Sequence, residues 1–243
     1  MQKDFITATP DSGTGDGTVT VSASANTGLE RNSSINISGG GITRTINISQ
    51  KSIPNGVYIC DNNGQLWKRT DWSTSNNSNA SGVAVKTNNC EFVISKKEQT
   101  SIQWGGRNTL INGCTTTTDE STAKKDYSGK QNTDAIVSQL GESDTYAARY
   151  CKEYTFPHGV QGYLPALGEW DEVYQNILEV NACMSLIGGD PLYDSSIGNY
   201  VKWSSTQYSA INAWGFYSVN NGIQHNNKAY GYNNFCARPF APF

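Results

Sequence analysis

An alternating strand followed by a tight turn constrains the fold of this chain most. Side chains from residue 213 to residue 219 alternate in character with period 2, which predicts a strand with Trp214 and Phe216 on one face. The Asn-Asn-Gly sequence at residues 220–222 is typical of a hairpin turn, after which residues 223–225 return as a second strand. We expect the face with the two aromatic side chains to pack inward and the alternate face to meet solvent.

The segment around this hairpin is almost free of charge. Between residues 204 and 236 the one formally charged side chain is Lys228, and no acidic residue follows Asp194. Tyr, Ser, Gly and Asn dominate the segment, and these residue types provide rigid contact area and adaptable hydrogen bonds at binding surfaces. We interpret the segment as a binding surface, while a polar β-meander with turns stays open on composition alone.

Composition extends this interpretation to the whole chain of 243 residues. Charged residues make up 16% and hydrophobic residues 36%, and the surplus of small polar residues favours loops and β-structure over a helical bundle. The net charge of −3 argues against a nucleic-acid partner. No apolar run of about 18 residues occurs, which argues against direct membrane insertion.

The first part of the chain, residues 1–51, predicts a separate small β-module. Residues 18–22, 34–38 and 43–48 alternate with period 2 and are separated by Gly-rich turns, as in antiparallel strands. The stretch from Ile6 to Gln50 resembles the BACON family of immunoglobulin-like modules and covers the second half of such a module. The resemblance implies a partial, all-β, immunoglobulin-like segment, for which a spacer role is the simplest interpretation.

Helical signals lie in the middle of the second predicted domain. Residues 134–141 end on a Gly that suits a helix C-terminus, and residues 146–154 predict a second helix. Residues 164–188 carry apolar side chains at helical spacing and predict one long helix, with Pro165 in its first turn. The polar segment 115–131 is expected to be mobile.

Four motifs in the second domain share a known pattern. They are Gly-Tyr-Leu-Pro-Ala-Leu-Gly-Glu-Trp at residues 162–170, Trp-Ser-Ser-Thr-Gln at 203–207, Ala-Trp at 213–214 and Ala-Arg-Pro-Phe at 237–240. Together they resemble the C-type-lectin-fold variable proteins of diversity-generating retroelements. The resemblance spans about residues 52–243. It implies an α+β chain with the C-type lectin fold, which has mixed, loop-rich antiparallel sheets and two or three helices.

The resemblance also implies which residues vary. In that family, template adenines are randomised during reverse transcription, and changing the adenines of an AAY codon cannot produce Gln, Lys or Trp. Gln207, Trp214, Gln224 and Lys228 should therefore be fixed framework positions, and Trp170, Trp203, Trp214, Phe216 and Phe240 should form the core beneath them. The variable ligand-binding positions, expected on one solvent-facing patch within a hypervariable region of about residues 204–236, are Tyr208, Ser209, Ile211, Asn212, Gly215, Tyr217, His225, Ala229, Tyr230, Tyr232 and Asn233.

Catalytic and metal chemistry find little support in the sequence. Glu169, Asp171 and Glu172 lie together, but acids in the first turn of a helix usually complement its dipole. His158 is more typical of a turn than of a ligand set, and no spacing assembles a nucleophilic triad. The carboxylate motifs of calcium-dependent lectins and the reactive cysteine pair of formylglycine-generating enzymes are absent. We expect neither an enzyme, nor a cofactor, nor a metal site.

The six cysteines, at positions 60, 90, 114, 151, 183 and 236, leave two outcomes open. The analogy with C-type lectins implies a disulfide between Cys151 and Cys236, and Cys60 could pair with Cys90. Free buried thiols are the competing outcome.

The sequence therefore predicts a non-enzymatic, surface-displayed binding protein with a hypervariable patch for a protein or glycan receptor on another cell or a virus. A calcium-independent carbohydrate-binding adhesin and a pilus-tip or phage-tail component are the alternatives. Composition indicates an extracellular or cell-surface location, or a phage virion in the last case. No signal segment is recognised at Met1.

Overall fold

The computed structural model describes residues 5–24, 26, 30–192, 200–217, 222–231 and 234–243. The chain divides into two compact units, Met1–Pro54 and Asn55–Phe243. Among the described residues, no helix combines the length and apolar character needed to cross a bilayer.

The N-terminal unit consists of paired antiparallel strands, as the alternating pattern predicts. Strand β1 (Ile6–Thr9) pairs with β2 (Thr20–Ala23), and β3 (Arg31–Gly39) pairs with β4 (Ile42–Gln50). In the second pair Ile35 lies opposite Ile46, so isoleucines of both strands share one face of the hairpin.

The C-terminal unit contains two five-stranded sheets. The first has the order β14-β8-β7-β5-β6 and is antiparallel throughout. Its strands are β5 (Gly56–Asp61), β6 (Leu66–Trp67), β7 (Ala80–Lys86), β8 (Glu91–Ser95) and β14 (Phe240–Ala241). Short 3-10 turns at Arg69–Asp71 and Thr74–Asn79 connect β6 to β7.

The second sheet has the order β12-β11-β10-β13-β9 and contains the predicted hairpin. Among its described strands, β10 pairs with β13 in parallel, and the other three pairings are antiparallel. Its strands are β9 (Gln99–Thr100), β10 (Val201–Gln207), β11 (Asn212–Tyr217), β12 (Ile223–Asn227) and β13 (Phe235–Ala237). The unit is thus α+β with mostly antiparallel sheets.

The described residues of this unit also form five α-helices. They are α1 (Glu120–Ala123), α2 (Gly129–Leu140), α3 (Ala147–Glu153), α4 (Leu167–Gln175) and α5 (Ile177–Leu186). The predicted end of α2 is confirmed: Gly141 follows it with φ of 73°, a conformation that favours glycine.

The prediction of one helix over residues 164–188 is wrong in two respects. Asn176 has non-helical backbone angles, and its side-chain amide donates to the Glu172 carbonyl at 2.9 Å, so the helix divides there. The first helix also begins later than expected. Ala166 is extended, and the Glu169 carboxylate accepts its backbone N–H at 2.7 Å, which leaves Pro165 outside the first turn.

The expected mobility of residues 115–131 is also wrong. Asp126 is buried, and its carboxylate accepts hydrogen bonds from Asn132 Nδ2 at 2.8 Å and from Thr206 Oγ1 at 2.7 Å. The Asn132 side-chain oxygen in turn accepts the Thr115 N–H at 2.9 Å. This buried polar network ties the segment to β10, because desolvated polar groups need their partners.

The core lies on both faces of β11. On one face Trp170 of α4 stacks on Phe216 with ring centroids 5.8 Å apart. On the other face Trp203 and Phe235 stack at 4.9 Å within a second cluster that α2 and α3 cover. All five predicted core aromatics, including Trp214 and Phe240, are buried.

The six cysteines are free thiols, so the two suggested disulfides are not formed. Cys151 packs with Ala237 in the cluster under α3, whereas the neighbouring Cys236 interacts with Glu98 on the opposite face of β13. Cys60 lies on β5 and Cys90 just before β8, and β7 separates those strands. Two inter-strand spacings are about 9.5 Å, beyond the reach of a disulfide.

Candidate ligand-binding surface

A buried lysine holds together two turns of the second sheet, the turn between β10 and β11 and the loop that follows β12. Lys228 is fully buried, and its Nζ donates to Gln207 Oε1 at 2.6 Å and to the Thr109 carbonyl at 2.9 Å. The ammonium group also lies 4.3 Å from the centroid of the Trp104 ring. Desolvation lowers the pKa of Lys228 to about 8, which marks how thoroughly water is excluded here.

Gln207 uses both ends of its side chain in this network. While its Oε1 accepts from Lys228, its Nε2 donates to the Ile111 carbonyl and to Thr116 Oγ1, each at 3.1 Å. The amide is completely buried. Replacement by any other residue would leave buried polar groups unpaired, which is costly.

Trp214 anchors the hairpin from the other side of the same region. Its indole is buried, and Nε1 donates to the Thr117 carbonyl at 2.8 Å. Three of the four predicted framework residues are therefore held in the interior. Gln224 is the exception, since its side chain is exposed on β12.

Partly exposed side chains cover this framework. The Tyr208 ring stacks on His225 with centroids 3.8 Å apart and meets Trp214 edge-on at 5.2 Å. Asn212 Nδ2 donates to His225 Nδ1 at 3.1 Å. Ser209 Oγ accepts the backbone N–H groups of Ile211 and Asn212, at 3.1 and 3.0 Å, and shapes the turn between β10 and β11.

The loop after β12 lies beside this turn. The Lys228 N–H donates to the Ile211 carbonyl at 2.9 Å, and Ala229 and Tyr230 follow directly. Ile211 and Tyr230 are 46% and 41% exposed, so both side chains are open to contact with a ligand. We call the seven side chains on these two turns and β12 the turn patch: Tyr208, Ser209, Ile211, Asn212, His225, Ala229 and Tyr230.

Two of the predicted variable positions do not meet solvent as expected. Gly215 is buried, and a Cβ there would come within 2.7 Å of Val201 Cγ1. Tyr217 is partly buried and packs against the cluster that contains Trp203. The sequence pattern showed the alternation of the strand but not the helical layer over its second face. Tyr232 and Asn233 lie outside the described residues.

The three acidic residues of α4 each have a separate partner. Tyr163 Oη donates to Glu169 Oε1 at 2.9 Å, and burial raises the pKa of Glu169 to about 8. Asp171 lies near Lys124 instead, while the Glu172 carboxylate accepts from Asn89. Within the described part of the chain, no group of three or more His, Cys, Asp or Glu residues could hold a metal ion.

His158, the other histidine considered, is a structural residue of a turn. Its Nδ1 lies 2.9 Å from Ser81 Oγ, and burial lowers its pKa. Its Nε2 is buried without a hydrogen-bond partner among the described residues.

The first comparison with known proteins concerns the N-terminal unit. Residues 2–51 match the family model described as "BACON: Putative binding domain, N-terminal". This match confirms the resemblance of the N-terminal module. No curated protein sequence matches the chain.

A solved structure shares the fold of most of the chain. It is a fimbrial protein from Bacteroides ovatus ATCC 8483, with a TM-score of 0.53 and 11% sequence identity. The alignment covers 84% of this chain and 56% of that protein, so this chain spans little more than half its length. At this identity the likeness is one of fold alone.

Proposed function

We propose that this chain is a non-enzymatic ligand-binding protein whose turn patch contacts a protein or glycan receptor. The observation that carries the proposal is a division within residues 207–230. Gln207, Trp214 and Lys228 are buried and hydrogen-bonded. In the turn patch, by contrast, Ile211, His225 and Tyr230 are exposed and the other side chains are partly exposed. We further propose that the unit has the C-type lectin fold and that the patch is diversified by a retroelement.

The division suits a surface whose side chains change while its backbone stays in place. Exposed positions tolerate substitution within about 0.5 kcal/mol, so varying Ile211 or His225 would cost little stability. The turns themselves depend on buried partners, chiefly Lys228 bonded to Gln207 and to Thr109. Contact chemistry and fold stability are thereby assigned to different residues.

The patch contains the residue types that provide binding energy. Tyr208 and Tyr230 offer rigid aromatic area, and Tyr208 is already held against His225, which reduces the entropy lost on binding. Asn212 and Ser209 supply hydrogen bonds at the edge. We expect a few of these side chains, with the tyrosines foremost, to carry most of the affinity.

The comparisons support a location outside the cell. The description of the N-terminal family as a binding domain and the fimbrial origin of the structural neighbour both fit a protein displayed on a cell surface. The similarity in fold to the fimbrial protein favours a second candidate. This candidate is an adhesin or pilus-tip component that binds carbohydrate without calcium and whose binding surface is not diversified. A phage-tail protein is the corresponding virion candidate.

Two measurements test this function. A second, near-identical copy of codons 203–240 beside a reverse-transcriptase gene would support diversification, and a genome without such a copy would refute it. Binding of the intact chain to protein and glycan arrays tests recognition separately. We expect Tyr208→Ala and Tyr230→Ala to abolish captured interactions that the exposed control Gln161→Ala retains. Binding that persists in both tyrosine variants would exclude the patch.

A further inference from the structure

A polar groove lies beside strand β9, and nothing in the proposed function uses it. Its volume is about 690 Å³, within the range of about 300–1,000 Å³ typical of small-molecule sites. Three segments form it: residues 99–106, residues 140–150 and Gly231. No residue of the turn patch lines the groove, although Gly231 directly follows Tyr230.

The walls of the groove are fixed by the start of helix α3. The Ala147 N–H donates to the Gln103 carbonyl at 2.8 Å, which ties the loop after β9 to the helix. Tyr146 directly precedes α3 with an extended backbone, Tyr150 lies within the helix, and both tyrosines line the groove. The Tyr146 hydroxyl donates to the Gly141 carbonyl at 2.7 Å, which holds that ring in place.

The groove offers neutral hydrogen-bonding groups. Gln99, Gln103, Thr145 and Tyr150 contribute amides and hydroxyls, and Asp144 is the one charged residue that lines it among the described residues. Within the described part of the chain, the Gln103 amide and the Tyr150 hydroxyl have no hydrogen-bond partner. These groups are therefore free to bond a ligand without breaking contacts of the protein.

We propose that this groove binds a neutral oligosaccharide. Sugar hydroxyls both donate and accept, which matches amides, hydroxyls and a single carboxylate, and the apolar C–H face of a sugar ring suits a tyrosine side chain. An anionic ligand is disfavoured by Asp144, because none of the described residues that line the groove is a cation that would offset its charge. A volume of about 690 Å³ accommodates a di- or trisaccharide.

The close approach of Gly231 to the groove provides a steric test. A Cβ at this position would lie 2.6 Å from Gln103 Cγ and 3.2 Å from the backbone nitrogen of Gln103. Gly231→Ala would therefore displace the Gln103 side chain from its place in the groove. Its effect on binding should resemble that of removing the amide.

The experiment uses the intact chain and saturation-transfer NMR with four neutral probes: maltotriose, cellotriose, xylotriose and N-acetyllactosamine. We expect at least one to bind. Gln103→Ala and Tyr150→Phe should each weaken its affinity about fivefold, the effect of one lost hydrogen bond. Gly231→Ala should weaken it as well. Gln161→Ala and Tyr174→Phe are matched controls outside the groove and should leave the affinity unchanged.

Three outcomes would overturn the proposal. They are the absence of transfer to all four neutral sugars, equal affinity in the groove variants and the controls, and preference for 3′-sialyllactose or a neutral tripeptide over the sugars. Tyr208→Ala separates the two binding proposals: sugar binding that is lost with Tyr208 belongs to the turn patch and refutes the groove, whatever becomes of the receptor assay.

Discussion

Replacing Lys228 with Met tests how the framework is built. The ammonium group is fully buried, and desolvation lowers its pKa from 10.5 to about 8. At about 1.36 kcal/mol per pKa unit, this shift corresponds to about 3 kcal/mol. The neighbouring Cys114 thiol, whose pKa burial raises to about 12, stays neutral over the relevant range.

The sign of the effect follows from proton linkage. Because the pKa of Lys228 is lower in the folded state, the unfolded chain binds more protons between pH 8 and 10.5, and folding stability rises with pH in that window. This pH-dependent gain in folding stability is absent below pH 8 and complete above pH 10.5. At pH 9.5 it amounts to about 2 kcal/mol.

The assay is urea denaturation, with reductant, of the wild-type chain and of Lys228→Met from pH 7 to pH 10.5. Buried cysteines and tyrosines also titrate at high pH, so the informative quantity is the difference in unfolding free energy between the two proteins. We expect wild type to gain about 3 kcal/mol relative to Lys228→Met across the series. A constant difference would show that Lys228 is hydrated and would refute the buried framework.

Three further predictions concern single positions. Gly215→Val should destabilise the fold by about 1–3 kcal/mol in urea denaturation because its side chain meets Val201, whereas a null effect would place Gly215 at the surface. Burial raises the pKa of Glu169, so the unfolding free energy of wild type relative to Glu169→Gln should be highest below pH 4.5 and fall as the pH rises to about 8. A difference that does not change with pH would contradict the burial of Glu169. Thiol titration with a coloured disulfide reagent should find six thiols after denaturation and very slow reaction before it, because burial keeps Cys151 and the others protonated; fewer thiols would indicate disulfides.

Local pattern was enough to predict several elements. The hairpin at Trp214 and Phe216 and the glycine at the end of α2 follow from periodicity and capping, which act within a few residues. The five-residue aromatic core was predicted from the family resemblance. The burial of Gln207 and Lys228 agrees with a framework role that was inferred from codon chemistry, without any structural signal.

The remaining features depend on distant contacts. The break at Asn176 and the ordering of residues 115–131 depend on side-chain hydrogen bonds, in the second case to β10, which apolar periodicity does not register. The burial of Gly215 depends on a helical layer contributed by residues far along the chain. The groove at Gln103 could not be anticipated either, because its segments are separated by more than thirty residues.

The most direct measurement compares the unfolding free energies of two sets of variants. Ile211→Ser, His225→Ser and Tyr230→Ser change exposed patch residues to an identity that adenine substitution in an AAY codon can produce, and each should cost less than about 1 kcal/mol. Gln207→Ala and Trp214→Ala remove buried, hydrogen-bonded side chains, and each should cost more than about 2 kcal/mol. Equal costs in the two sets would contradict the division between framework and binding surface.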